Sequence, residues 1–293
     1  METYSTDIPN SCLPAPGSRI STLAAVIQET YAVLRQAADL SPANPAVTEQ
    51  IGLLAQQIRL PYSPEEVQYI LQHEEIQPLR QILLGMLSEA ECRMELFDSH
   101  QLSLQANGGL SCLRHYRNWE TYEHLVRLER EQLRRLRRTD GNDNTVVFVG
   151  SGPMPISAMM IHLEEQVNVV CVDMNPDACE AARTLLERVG LGDPVRVVQA
   201  EGANYDYAGC GIVFVASLVS GKAKVFEQIR ATNPNALVAV RTAEGMRQLM
   251  YEAVDESVME TEGWRLLART SPIHSHAINS TLFYRYDGSG RVQ

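Results

Sequence analysis

Glycines, an acid and an apolar run combine in one stretch of this chain in a way that suits ligand binding. Thr145-Val146-Val147-Phe148-Val149 leads straight into Gly150-Ser151-Gly152-Pro153-Met154-Pro155. Glycines after an apolar strand let the backbone approach a ligand closely at the carboxyl edge of a sheet. The third glycine of a dinucleotide fingerprint is absent and prolines follow, which disfavours a pyrophosphate cradle. Asp173 stands 21 residues beyond Gly152, at the end of the next apolar run, placed to accept hydrogen bonds from a ribose diol. A glycine turn with an acidic second-strand end fits an adenosine-containing ligand, and S-adenosylmethionine needs no phosphate cradle. The plainer alternative is an ordinary tight turn beside an exposed strand-end acid.

Other chemistries find less support. Cys12, Cys92, Cys112, Cys171, Cys179 and Cys210 contain no CxxC pair, which favours reduced thiols over a disulfide frame or a zinc site. The seven histidines are dispersed. His274 and His276 would share one face of a strand, but two ligands do not make a site, so no metal is expected. The basic stretch Arg127 to Arg138 is interrupted by Glu129 and Glu131, and Leu125, Leu128, Leu133 and Leu136 keep an apolar stripe. It reads as a solvated helix face with positive charge near its C-terminus. With 25 Lys+Arg against 36 Asp+Glu, the net charge of −11 argues against a nucleic-acid partner. No membrane-length apolar run and no signal-type N-terminus occur, so a cytoplasmic protein is expected.

The elements that must position these residues fall into two patterns. Residues 18–40, 46–60 and 78–102 show the three-four apolar spacing of helices, the last with Ile82, Leu83, Met86 and Leu87 inward. Ser63-Pro64-Glu65-Glu66 reads as a capping box opening another. Asn107-Gly108-Gly109 breaks the pattern, a further helix covers 118–138, and the polar cluster 139–143 marks a domain boundary. After it, apolar runs at 145–149, 167–172, 195–198, 211–216 and 236–240 read as buried parallel strands. Helices at 176–189 and 222–231 lie between them, and 281–285 reads as a late antiparallel strand. The expected architecture is α/β: a helical region (1–140) before a doubly wound, Rossmann-like sheet of methyltransferase type (141–293).

The residues around the glycine turn resemble the nicotianamine synthase family. Phe148-Val149-Gly150-Ser151-Gly152-Pro153-Met154-Pro155-Ile156-Ser157 is similar to its FVGSGPLPLT signature. Similar segments follow in order: Asp173-Met174-Asn175-Pro176-Asp177, Val215-Ala216-Ser217-Leu218-Val219, Arg241-Thr242-Ala243-Glu244-Gly245-Met246-Arg247 with Tyr251 after it, and Asn279-Ser280-Thr281. In the helical half, Trp119 to Glu129 resembles the family's YxNYxxLxxLE, and Met94-Glu95 its active-site glutamate. The likeness covers roughly residues 60 to 290.

The resemblance implies an S-adenosylmethionine-dependent transferase, with that molecule as co-substrate, moving the 3-amino-3-carboxypropyl (aminobutanoyl) arm to an amine and releasing methylthioadenosine. It implies Glu95 and Tyr122 as the catalytic pair that takes the amine's proton. It places Gly150, Ser151, Gly152, Pro153, Asp173, Asn175, Glu201, Ala216, Ser217 and Leu218 around the cofactor. Arg241 or Arg247 is expected to clamp a substrate carboxylate, against a plainer role in sheet-edge ion pairs. Met154, Ser157, Trp119, Thr121 and Glu201 depart from the strict nicotianamine pattern. Two acceptors therefore stay open. Opine-metallophore enzymes of the staphylopine and pseudopaline type transfer once to histidine and work with a downstream opine dehydrogenase, whereas nicotianamine synthase joins three S-adenosylmethionine molecules. By analogy the compact helical half favours histidine. A small-molecule methyltransferase is the remaining enzymatic alternative, and a homodimer is a candidate assembly.

Overall fold

The computed structural model describes residues 16–105, 109–136, 145–271 and 279–288. The boundary cluster at 139–143, Asn107, Gly108, Cys12, His274 and His276 lie outside the described residues.

Among the described residues five α-helices precede the sheet: α1 (Pro16–Gln36), α2 (Pro45–Gln57), α3 (Pro64–Leu71), α4 (Gln77–Gln105) and α5 (Trp119–Leu136). The start of α3 carries the expected reciprocal cap, with Ser63 accepting from the Glu66 amide and Glu66 reaching back to the Ser63 amide. On α4, Leu83, Leu87 and Ala90 form the buried stripe, while Ile82 is 52% exposed. The inward assignment of Ile82 is therefore corrected: at about 100° per residue it lies a quarter-turn off the stripe.

Among the described residues the sheet has seven strands in the order β3-β2-β1-β4-β5-β7-β6. They are β1 (Thr145–Val149), β2 (Asn168–Asp173), β3 (Val195–Gln199), β4 (Ile212–Val215), β5 (Leu237–Thr242), β6 (Trp264–Arg269) and β7 (Ser280–Tyr286). The helices α6 (Ile156–Glu165), α7 (Pro176–Arg188), α8 (Lys222–Thr232) and α9 (Glu256–Thr261) intervene. The first five strands run parallel, and β7 adds antiparallel to β5, as expected for 281–285. Two differences from the sequence reading stand out. β3 is an edge strand, largely open to solvent, and among the described residues nothing pairs with its outer side. β6 escaped notice because an edge strand exposing Arg265 and Leu266 lacks the continuous apolar run of a central strand.

The helices do not stand apart from the sheet. Leu102, Leu113, Val126 and Leu133 share one core with Phe148, Ile156 and Phe214. A second core joins Leu23, Ile27, Leu54 and Leu83 to Met246, Leu249, Met250 and Tyr251, which follow β5. Helical residues thus cover the carboxyl edge of the strands, and a cleft of about 740 Å3 lies between them.

Candidate active site

The floor of the cleft is the turn after β1. The Gly150 amide donates to the Val172 carbonyl (2.8 Å), and the Ala216 amide to the Val149 carbonyl (3.0 Å), seating the turn over the three central strands. Gly150 and Gly152 have φ of +72° and +66°, a region that favours glycine. A Cβ on Gly150 would meet Val219 Cγ2 at 2.4 Å, and one on Gly152 would meet Glu95 Oε2 at 2.8 Å. The two glycines therefore leave room that any side chain would fill, one of them directly under a carboxylate.

Asp173, at the end of β2, braces this turn. One carboxylate oxygen accepts from the Gly152 amide (2.8 Å) and the other from the Asn175 amide (3.0 Å). Each oxygen keeps a lone pair for a further donor such as a ribose hydroxyl. Asn175 in turn caps α7, accepting from the Asp177 and Ala178 amides. Glu201 lines the same end of the cleft and accepts from Asn204 (2.8 Å). The wall after β4 (Ala216, Ser217, Leu218) is held by buried Lys222, whose ammonium donates to the Ser217 and Val219 carbonyls at 2.9 Å each. Burial lowers that ammonium to about 8, opposed by Glu252 3.6 Å away.

The opposite wall is one face of α4: Gln81, Leu84, Ser88, Glu91, Cys92 and Glu95 line the cleft at helical spacing. The Tyr122 hydroxyl, from α5, donates to Glu95 Oε1 at 3.1 Å. Burial first, then the neighbouring carboxylates of Glu91, Asp98 and Asp173, push the Glu95 carboxyl well above the usual range, against the Tyr122 bond that favours the charged form. The expected pair is thus in hydrogen-bond contact, and its carboxylate sits against the glycine turn.

The two expected substrate clamps are placed differently. Arg241 lines the cleft, but its guanidinium is committed: Nε and Nη2 bind Glu129 at 2.9 and 3.1 Å, and Nη2 also donates to Ser157 at 2.8 Å. Glu129 has no exposed surface and further accepts from Thr281 at 2.7 Å. The fork that would grip a carboxylate already grips one. This also revises the reading of α5 as a solvated face at that position. Arg247 lies outside the cleft lining altogether.

Glu91 and Arg59 line the cleft without having been singled out in the sequence, whereas Tyr251 and Asn279 stand in the segments that resemble the family. Glu91 is one helical turn before Glu95, and the spacing of two carboxylates was the clue to it. Tyr251, in the segment after β5, lines the cleft with it. Arg59, just beyond α2, carries no ion pair among the described residues. Asn279 is 8% exposed, donates to Ser217 (2.6 Å) and leaves its Oδ1 without a partner. Among the described residues no cluster of His, Cys, Asp and Glu suits a metal, Cys92, Cys112, Cys171, Cys179 and Cys210 are free, and no helix is long and apolar enough to cross a membrane.

The lining fits S-adenosylmethionine. Glu89, Glu91, Glu95, Asp173, Glu201 and Glu252 face it, against Arg59, Lys224 and the committed Arg241. An acidic cleft suits a sulfonium and an ammonium.

Comparison with known proteins agrees. The model of the family described as "Nicotianamine synthase protein" matches residues 18–289. Nicotianamine synthase 1 of Oryza sativa subsp. indica is 28% identical over 94% of this chain and 85% of its own length. An L-histidine 2-aminobutanoyltransferase of Pseudomonas aeruginosa is 31% identical over 43% of this chain and 48% of its own. A crystal structure of MtNAS in complex with MTA and tNA superposes with a TM-score of 0.75 at 20% identity, over 91% of this chain and 97% of that one. On the extent of the family match, the chain belongs to the nicotianamine synthase family.

Proposed function

We propose that this chain transfers the 3-amino-3-carboxypropyl arm of S-adenosylmethionine to the amine of histidine, releasing methylthioadenosine. S-adenosylmethionine-dependent aminobutanoyl transfer is the reaction of the family; histidine as acceptor is the finer step. The observation that carries the reading is the Tyr122–Glu95 pair set against the Gly152 backbone. An amine nucleophile must be neutral, attack in line with the chosen carbon–sulfur bond, and lose a proton as the new bond forms. The nitrogen lone pair forms the bond to Cγ, the Cγ–S pair leaves with sulfur as the neutral thioether, and Glu95 takes the proton. Its raised carboxyl is a better match to an amine than an ordinary carboxylate would be. Tyr122 orients that carboxylate. Asp173, Asn175, Glu201 and residues 150–153 and 216–218 hold the nucleoside end.

Histidine is favoured by the likeness to the Pseudomonas aeruginosa enzyme. The adduct retains a primary amine, which suits consumption by an opine-type dehydrogenase in metallophore biosynthesis. The second reading, repeated transfer among S-adenosylmethionine molecules, is favoured by the longer match to the rice enzyme. Mass analysis after incubation with S-adenosylmethionine, with and without histidine, separates them. A single histidine adduct with equimolar methylthioadenosine is expected. Nicotianamine made without histidine, and no histidine adduct when it is restored, would move the assignment to the second reading.

A further inference from the structure

We propose that Lys222, standing behind the cleft wall, is the positioning residue of the nucleoside end: its ammonium turns the carbonyls of Ser217 and Val219 away from the cleft and so sets the backbone that faces the ligand. The inference rests on the reading above that residues 150–153 and 216–218 hold the nucleoside, and adds what keeps that wall in shape.

The wall is the connection 216–221 between β4 and α8, and it has little bonding of its own. Within it the Val219 amide reaches the Ala216 carbonyl only at 3.4 Å, a long bond. Gly221, with φ of +65°, turns the chain into α8, and the side chain of Lys222, the first residue of that helix, folds back under the wall. Its Nζ donates to the Ser217 and Val219 carbonyls at 2.9 Å each. Lys222 is 6% exposed and lies outside the cleft lining, whereas Ser217, Leu218, Val219 and Ser220 belong to it.

The geometry of the peptide group carries the effect to the ligand side. A trans peptide is planar, and its N–H points opposite to its C=O. Turning the Ser217 and Val219 carbonyls toward Lys222 therefore turns the Leu218 and Ser220 amides toward the cleft that these residues line. Neither amide bonds to a backbone carbonyl among the described residues, so both stay open to a ligand. The same grip acts on the glycine turn. Val219 Cγ2 occupies the space that a Cβ on Gly150 would need, and the Ala216 amide donates to the Val149 carbonyl at 3.0 Å. Asn279, just before β7, holds Ser217 by its side chain, Nδ2 to Oγ at 2.6 Å.

The charge on Lys222 counts as well as its bonds. Methionine would fill much of the same space but would leave two carbonyls without a donor. Hydrogen bonds from an ionised donor are roughly twice as strong as those from a neutral one. Burial lowers the ammonium to about 8, and Glu252, 3.6 Å away, is the titratable group that opposes this. Lys224, on the same helix, lines the cleft instead. Below about 8 the charged amine grips the wall. Above it the neutral amine grips more weakly, so nucleoside affinity falls as pH rises through that value.

Calorimetry with methylthioadenosine tests this, because that nucleoside has no amine or carboxylate to titrate near 8. For the unsubstituted chain, affinity is expected to fall about three- to tenfold from about pH 7 to about pH 9.5. Lys222→Arg stays charged throughout and should bind without that fall. Lys222→Met should bind about tenfold or more weakly at the lower pH and also show no fall, with circular dichroism reporting whether it is folded. Should the methionine variant fail to fold, the profiles of the unsubstituted chain and of Lys222→Arg decide. Glu252→Gln removes the opposing charge and should move the fall to lower pH. A flat profile in the unsubstituted chain, a fall that persists in Lys222→Arg, or parental affinity in Lys222→Met would overturn the role of Lys222 while leaving the nucleoside reading standing. An unsubstituted chain that binds neither methylthioadenosine nor S-adenosylmethionine would overturn the nucleoside reading itself.

Discussion

Glu95 owes its chemistry to where the chain places it. A glutamate on a helix is ordinarily a solvated acid with little basicity at neutral pH. Here it is walled by Tyr122, Gly152 and other carboxylates, and its affinity for a proton rises. Glu95→Gln keeps the shape and removes the base, so kcat should fall about 10²–10⁴-fold while S-adenosylmethionine binding stays nearly unchanged. Turnover near the parental rate would mean another group takes the proton. Tyr122→Phe should be milder, because the phenol orients the carboxylate and does not receive the proton. Asp173 braces the turn through the Gly152 and Asn175 amides, and in the proposed function it also faces the ligand. Asp173→Ala should therefore weaken S-adenosylmethionine by about 2–4 kcal/mol in calorimetry, the loss of roughly two hydrogen bonds to a charged acceptor. A change below threefold would remove it from the binding site.

Between elements, the decisive contact is the buried pair of Arg241 on β5 and Glu129 on α5. Arg241 also lies over the Phe148 ring at 5.1 Å, so one side chain ties α5, β1 and β5 together. Breaking one partner of such a pair leaves an uncompensated buried charge and typically costs about 3–5 kcal/mol. We expect Arg241→Met to lower the urea unfolding free energy by that order. A variant of parental stability with a raised acceptor KM would restore the clamp role that the bonding pattern removes. Gly152 makes a complementary test of the junction between α4 and the turn after β1. Gly152→Ala puts a methyl 2.8 Å from Glu95 Oε2 at a strained φ, so activity should fall much further than stability, read by comparing kcat with the unfolding midpoint.

For the molecule as a whole, the helices close the strand edge by sharing two cores with the sheet and the segment after it, so Glu91 and Glu95 are held against the strand ends by packing. That arrangement has a consequence for pH. Glu91 holds its proton to about 7 in the native state, against about 4.5 when unfolded. Between those values the native state binds more protons, so this group's contribution falls as pH rises through that window. Glu91→Gln should therefore gain stability over the parent from pH 4.5 to 7.5, on the order of 1–3 kcal/mol, as measured by urea unfolding at each pH. A gap that stays constant across the range would show that Glu91 titrates normally.

The sequence by itself determined the local and repeating features. Five parallel strands, the cap at Ser63, the glycine turn and Asp173 were legible because each depends on neighbours in the chain: apolar continuity, a hydroxyl before proline, and residues that tolerate positive φ. Resemblance of linked motifs added Glu95 and Tyr122, which periodicity alone could not distinguish from a surface acid and a packing aromatic. Only tertiary structure decided what depends on partners distant in sequence. It matched Arg241 with Glu129, 112 residues apart, so that two of the three guanidinium nitrogens are already bonded. It brought Arg59, Glu91 and Tyr251 to the lining of one cleft, where of the three only Tyr251 had been marked in the sequence. It also set β3 and β6 at the sheet edges, so that β3 is largely solvent-facing despite its apolar run. The physical reason is common to all three. A side chain's propensity is local, but whether its charge is neutralised, buried or left facing a cleft depends on which distant segment packs against it.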